Sequence, residues 1–291
     1  MKNQAAKIAF WRIIQIVFVL VLWQWGATWR DNDGVWLIPS LIDPYFISKP
    51  SDIFTRFLQL GCLTDFNGDW LLSKPGGVAA CLAQHPNNLW VATGATLLNT
   101  FWGFTVGTVT GVVAGLALGR SEILAKIYSP FIIAFNAIPR IAMVPVIILM
   151  FGLGDVSKVM TAWVTVFFVV FFNTFEGARS VDRDHIAVSR LFGATRWQIM
   201  RTTILPSTMS WVFASLTPAL SFSLIGVIVA EFIGTERGLG KLIVEGQARA
   251  DAADMMVSVF VLMIVGVALS LGIGRVQRYL LRWQAHYQDI G

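Results

Sequence analysis

The chain has 291 residues, of which 56% are hydrophobic and 13% charged, and its net charge is +5. Soluble domains carry about 25% charged residues, so this composition describes a chain built to sit in lipid and excludes an ordinary water-soluble enzyme. The basic excess flanks apolar stretches, and no basic stripe suited to nucleic acid lies elsewhere.

Phe10 to Trp29 is the first stretch to approach the ~20 apolar residues that a spanning helix needs. Lys2 and Lys7 precede it as they would a secretory leader, but it ends in the aromatic cluster Trp23-Gln24-Trp25 without a small-x-small cleavage site. Residues 1–29 therefore read as an uncleaved N-terminal span. Residues 30–94 hold Pro39, Pro44, Pro50, Pro75 and Pro86, with turn signals at Asp65-Phe66-Asn67-Gly68-Asp69 and Lys74-Pro75-Gly76-Gly77, which predict an extracytoplasmic loop with short helices. Both cysteines, Cys62 and Cys81, fall there, where an oxidising exterior favours a disulfide over two free thiols.

A core from 95 to 275 follows, with spans near Ala95 to Leu118, Tyr128 to Phe151, Val159 to Phe175, Ser210 to Ile233 and Met255 to Ile273. The fold class is all-α, a polytopic membrane protein of about six helices. In the second span Gly103, Gly107, Gly111, Gly115 and Gly119 recur every four residues. Such a small-residue face admits another helix closely, either within the chain or across a dimer. The third span contains Pro130, Pro139 and Pro145, each removing a backbone donor, which predicts a kink or break; discontinuous helices line substrate paths in transporters. Asn136, Arg140, Ser221 and Glu231 are the candidate residues of such a path. An arginine at that depth meets an anionic substrate, or pairs with carbonyls freed by Pro139 or with Glu231.

Acidic residues are absent from the membrane centre, and His85, His185 and His286 all sit outside the spans. Neither a proton- or sodium-coupled carrier nor an intramembrane protease is indicated, and there is no His-Glu-x-x-His or Gly-x-Ser-x-Gly. Alternating the spans from a cytoplasmic N-terminus puts Lys2, Lys7, Arg12, Arg120, Lys126, the arginines from 179 to 201, Arg275, Arg278 and Arg282 on one side, against Glu122, Glu176, Asp182, Asp184 and Asp289. The positive-inside rule then places both termini, including a tail over 276–291, in the cytoplasm.

On that side, between the fourth and fifth spans, Arg183 to Phe192 forms a short amphipathic helix. Ala187, Val188, Leu191 and Phe192 share one side, and Arg183, Ser189 and Arg190 the other. Asp182 or Asp184 can cap its start, and Gly193 suits a left-handed C-terminal cap. A second helix starts near Thr195-Arg196-Trp197 and is expected to break at Pro206. The result is a rigid knob or, alternatively, a helix lying on lipid headgroups.

This segment resembles the cytoplasmic signature of permease subunits of ATP-binding-cassette importers: Glu-Ala-Ala, three residues, Gly, nine residues, Ile-x-Leu-Pro. Gly193 is followed after nine residues by Thr203-Ile204-Leu205-Pro206, and the Glu-Ala-Ala places hold Ala187-Val188-Ser189. The signature glutamate is missing, so any ion pair made through it is absent or supplied by a neighbour such as Asp184. Ala137-Ile138-Pro139-Arg140 with Val144-Pro145, Phe151 to Lys158, Asn173 to Asp182, and Leu224 to Gly234 with Gly238-Leu239-Gly240 look like the branch serving taurine, alkanesulfonates, nitrate and pyrimidine or aromatic precursors. The resemblance covers about Thr93 to the C-terminus. It implies a type I importer permease fold in a bacterial inner membrane, a homodimer or pseudo-dimer with a second permease copy, two cytoplasmic ATPases, and a periplasmic substrate-binding protein. It also makes 183–193 the ATPase-coupling helix, with Arg183, Asp184, Ala187, Val188, Arg190, Leu191, Gly193 and Ala194 as contacts. ATP and Mg would be bound by the partner ATPase and no cofactor by this chain. Gly238-Leu239-Gly240-Lys241-Leu242 lacks the first Walker glycine and the Ser/Thr. The alternative reading is an autonomous anion channel or carrier filtered by Arg140.

Overall fold

A computed structural model describes residues 2–33, 47–65, 68–71, 74, 76–85 and 87–280. Pro39, Pro44, Pro75 and Pro86, and the tail from 281 onward with Arg282 and Asp289, lie outside the described residues, as do the side chains of Asn136 and Arg183. The helices are α1 (Lys2–Asp33), α2 (Pro50–Leu60), α3 (Gly77–Gln84), α4 (Leu89–Gly119), α5 (Glu122–Ala137), α6 (Val144–Phe151), α7 (Asp155–Arg179), α8 (Arg183–Leu191), α9 (Arg196–Ile199), α10 (Leu205–Ile233), α11 (Leu239–Ala248) and α12 (Ala252–Leu280). Five stretches are long and apolar enough to cross a membrane. The pair Ile123–Phe135 and Arg140–Phe151, bent by 83°, makes a sixth if it forms one broken span.

The bend falls where three prolines put it. Pro130 sits inside α5, Pro139 precedes a 3-10 turn over Arg140–Met143, and Pro145 opens α6, where a missing N–H costs nothing. Pro206 behaves differently from expectation. It does not break the chain, because α9 passes into a π-helical turn over Met200–Ile204, with the Leu205 N–H on the Met200 carbonyl, and then into α10. The wider turn shifts the hydrogen-bond register just where Pro206 has no donor to give.

The chain divides into two compact units, Met1–Thr93 with Arg237–Leu262, and Gly94–Glu236 with Met263–Gly291. In the first, Ile53, Leu89, Ala92, Leu239, Leu242 and Val257 form the buried cluster. The helix α11 and the start of α12 thus group with the N-terminal helices. Cys62 and Cys81 are joined by a disulfide with a Cα–Cα distance of 5.9 Å, and the Trp90 indole N–H donates to the Gly61 carbonyl at 2.8 Å. The Asp251 carboxylate caps α12 through the N–H groups of Ala253 and Asp254 and pairs with Arg56, while Arg249 reaches Asp254 at 3.2 Å.

In the second unit the glycine face of α4 lies on α7. A Cβ placed on Gly107 would stand 2.7 Å from Val166, one on Gly115 2.7 Å from Thr174, and one on Gly119 2.8 Å from Ala178. The small-residue ladder thus serves packing within the chain. On the other side of α7, Gly177 lies against the Trp211 ring, and the Thr165 hydroxyl approaches the Phe222 carbonyl at 3.1 Å.

Two outcomes follow. Gly107→Ala forces α4 off α7 and costs about 1–3 kcal/mol, read as a lower thermal midpoint in detergent, whereas Gly94→Ala, with nothing within 4 Å of its Cβ, costs none of this. Burial raises the Asp251 pKa, but the N–H groups of Asp254 and Ala253 and the Arg56 guanidinium outweigh it and hold it below the usual carboxylate value. A depressed folded pKa contributes stability present above the unfolded value of about 4 and lost as pH falls below it. Asp251→Asn should therefore lower the midpoint at pH 7 and flatten its decline between about pH 5 and 3.

Candidate functional site

Two features of the second unit combine exposed or accessible chemistry with firm support. The first is the elbow formed by α8 and α9. Its start is fixed by Asp182, whose carboxylate accepts from the Asp184 N–H at 2.9 Å. Its end is a Schellman closure, with Gly193 N–H to the Arg190 carbonyl at 2.9 Å and Ala194 N–H to the Ser189 carbonyl at 3.1 Å. Gly193 takes φ +78°, which a Cβ would strain. Thr195 and Gln198 then form a capping box that starts α9.

Inside the elbow, Val181, Ile199 and Ile204 are buried, with Ile186, Ala194 and Met200 packed on them. This small core holds α8 against α9 and turns Ala194 inward. Asp184, Ala187, Val188, Arg190, Leu191 and Gly193 face out. Leu191 and Phe192 are each 87% exposed and Trp197 72%. Phe192, placed on the apolar side from sequence, and Trp197 extend the apolar surface beyond the coupling contacts that the resemblance implied. Their signal was large apolar side chains in an otherwise polar segment.

The second feature is a cavity of about 380 Å³ at the α5–α6 break, walled also by α7 and α10. Arg140 is half-buried there, its guanidinium carbon 5.6 Å from the Phe222 ring centre and 6.0 Å from that of Phe168. Thr161 and Thr165 line the cavity with their hydroxyls donated to backbone carbonyls.

Of the candidate path residues Arg140 lines this cavity, while Glu231 and Ser221 do not. Glu231 is buried in helix packing, with both carboxylate oxygens within 3.0 Å of the Thr96 hydroxyl. Ser221 lines a different cavity, of about 480 Å³, between α10 and α12. Asn136 lies on the last turn of α5. Sequence reasoning missed Phe168 and Phe222, which sit in uniformly apolar runs that give no sign of which side chain meets Arg140. No group of three or more His, Cys, Asp or Glu able to hold a metal occurs among the described residues.

Residues 107–286 match the family described as binding-protein-dependent transport system inner membrane component. The chain is 31% identical over 231 residues to the riboflavin transport system permease protein RibX of Chloroflexus aurantiacus, covering 79% of this chain and 86% of that one. It is 26% identical to the taurine transport system permease protein TauC of Escherichia coli, covering 85% and 84%. In fold it is similar to a chain of the MetNI methionine ABC transporter in an inward-facing conformation, at 21% identity and TM-score 0.54, covering 71% of this chain and 98% of that one.

If Gly193 sets the elbow, Gly193→Ala strains a left-handed position by about 1–2 kcal/mol. Limited trypsin digestion should then cut faster at Arg190 and Arg196 than in wild type.

Proposed function

The chain belongs to the family of binding-protein-dependent transport system inner membrane components, and from that premise we propose that it is the permease subunit of an ATP-driven importer whose α8–α9 elbow docks on a cytoplasmic ATPase. The observation that carries this reading is the elbow itself. It is capped at both ends and braced by its own core, yet it presents Val188, Leu191, Phe192 and Trp197 outward. Apolar side chains held rigidly on a projecting knob fit a groove on a partner protein.

In this reading the permease core spans 95–275, both termini and the elbow face the cytoplasm, and the segment 30–94 faces the binding protein. The arginines around α8 agree with that orientation. ATP and Mg are bound by the partner ATPase, and this chain contributes motion without a hydrolytic site of its own. A second copy of the permease completes the pathway. Closure of the ATPase pair pushes α8, and the spans pass between inward- and outward-open arrangements as nucleotide shifts their populations. The solute is a small anion handed over by the binding protein. The relatives' names span riboflavin, taurine and aliphatic sulfonates, so membership of the family does not specify it.

The test is co-purification from solubilised native membrane with a tag on this chain, comparing wild type with the pair Leu191→Asp and Phe192→Asp. Both side chains are exposed, so the fold should survive. A nucleotide-binding ATPase should accompany wild type and be lost from the double variant. A chain that purifies alone in both forms and passes anions in liposomes without nucleotide would instead be an autonomous channel or carrier.

A further inference from the structure

Arg120 follows α4 directly where that span ends at Gly119, and Ser121 then caps α5, its hydroxyl accepting the Leu124 N–H at 3.3 Å. Arg120 is therefore fixed at the edge of the apolar layer. Its Nε is buried and meets no hydrogen-bond partner. Burial lowers its pKa, and Arg190 of α8 is near enough for its charge to lower it further, so the two lie on the same side of the membrane. Among the described residues no ion pair includes either arginine, and the Asp182 carboxylate is engaged at the start of α8. A cation partly withdrawn from water beside a second cation lacks the counter-charge that such groups ordinarily keep.

The helix that starts beside Arg120 turns apolar side chains outward. Ile123, Ile127 and Phe131 recur every four residues on α5 and are 72%, 53% and 58% exposed, a stripe of about 12 Å that begins one turn from Arg120. A ligand that answers both surfaces is an anion with a hydrocarbon tail, held at the depth where the span ends. Phosphate oxygens accept paired N–H groups from a guanidinium, and basic clefts at the ends of spanning helices take acidic headgroups. An acidic groove on a protein would suit the exposed Arg190, but it would have to reach the buried Nε of Arg120 and would gain nothing from the α5 stripe. Soluble phosphate would gain nothing from the stripe either.

We propose that Arg120 and Arg190 together hold the phosphate of an anionic phospholipid at the membrane boundary, with an acyl chain along Ile123, Ile127 and Phe131 of α5. Arg120 stands at the end of α4 and Arg190 on the elbow, so one headgroup ties the elbow to the span beneath it. This site goes beyond the permease reading and needs only that the chain lies in a membrane.

The full-length chain, delipidated in detergent, is titrated with phosphatidylglycerol, phosphatidylcholine and free glycerol phosphate, and the bound species are counted by native mass spectrometry. Phosphatidylglycerol should bind about tenfold more tightly than phosphatidylcholine, and glycerol phosphate should fall below detection. Arg120→Gln should cut the preference for phosphatidylglycerol about fivefold, and Arg190→Gln, at a more exposed position, about twofold. Lys126→Gln, which removes an exposed cation of α5 outside the pair, should leave it unchanged. Should Arg120→Gln fail to fold, the wild-type series with Arg190→Gln and Lys126→Gln decides. Equal binding of the two lipids, glycerol phosphate binding as well as the lipid, or a loss with Lys126→Gln as large as with Arg190→Gln overturns the assignment. So does an unchanged preference in folded Arg120→Gln, and if that variant also loses a co-purifying ATPase, the pair belongs to a protein contact instead. Retention of the ATPase by a variant that has lost its lipid preference supports the lipid site and leaves the permease reading untouched.

Discussion

Close approach of α4 to α7 is the constraint on which the second unit depends. Lipid tails are as apolar as the helices they surround, so no hydrophobic force drives two spans together, and contact must come from fit. Glycine every fourth residue from Gly103 to Gly119 removes side chains along one face, letting the α7 backbone and the small groups of Ala162, Val166, Thr174 and Ala178 come into contact. Polar contacts then fix the register: Asn99 donates to Asp155 at 2.9 Å and the Trp163 indole to Thr110 at 3.0 Å. With one face committed to α4, α7 uses another for α10, through Gly177 and Thr165.

That tight middle allows irregularity at its edges. The α5–α6 break leaves backbone groups without helical partners, which a membrane tolerates only where protein or a polar cavity surrounds them. Here the break lies beside α7 and α10, and the space it opens is the cavity holding Arg140. The elbow follows the opposite logic, since its backbone needs are met locally by Asp182, Gly193 and the Thr195–Gln198 box. A segment that satisfies itself can be rigid without being buried, and this is why Leu191 and Phe192 can stay outside.

Much of this was legible in the sequence because the signals are local. Hydropathy located the spans, three prolines located the break, and Asp182 and Gly193 marked the ends of α8. Pro206 was misread as a break because a π turn depends on register across five residues and leaves no single-residue mark. The candidate path residues were selected by polarity, but convergence depends on helix rotation, and Glu231 proved to be bonded to Thr96 inside the packing. Phe168 and Phe222 could not be distinguished from lipid-facing neighbours, because in an apolar run the partner of a cation is decided only by tertiary structure. The grouping of α11 with the N-terminal helices is likewise a matter of contacts between distant parts of the chain.

The continuity of α9 with α10 has a mechanical meaning. Arg196–Ile233 is one apolar helical stretch of 38 residues that runs through the π turn at Met200–Ile204 and carries Pro218 inside α10. At 1.5 Å per residue it measures about 57 Å from the elbow to the far end, and the π turn and Pro218 are two places along that length where a helix can bend. Near that far end Glu231 is tied to Thr96 of α4. One helical stretch thus carries the exposed elbow at one end and a side-chain tie to α4 near the other.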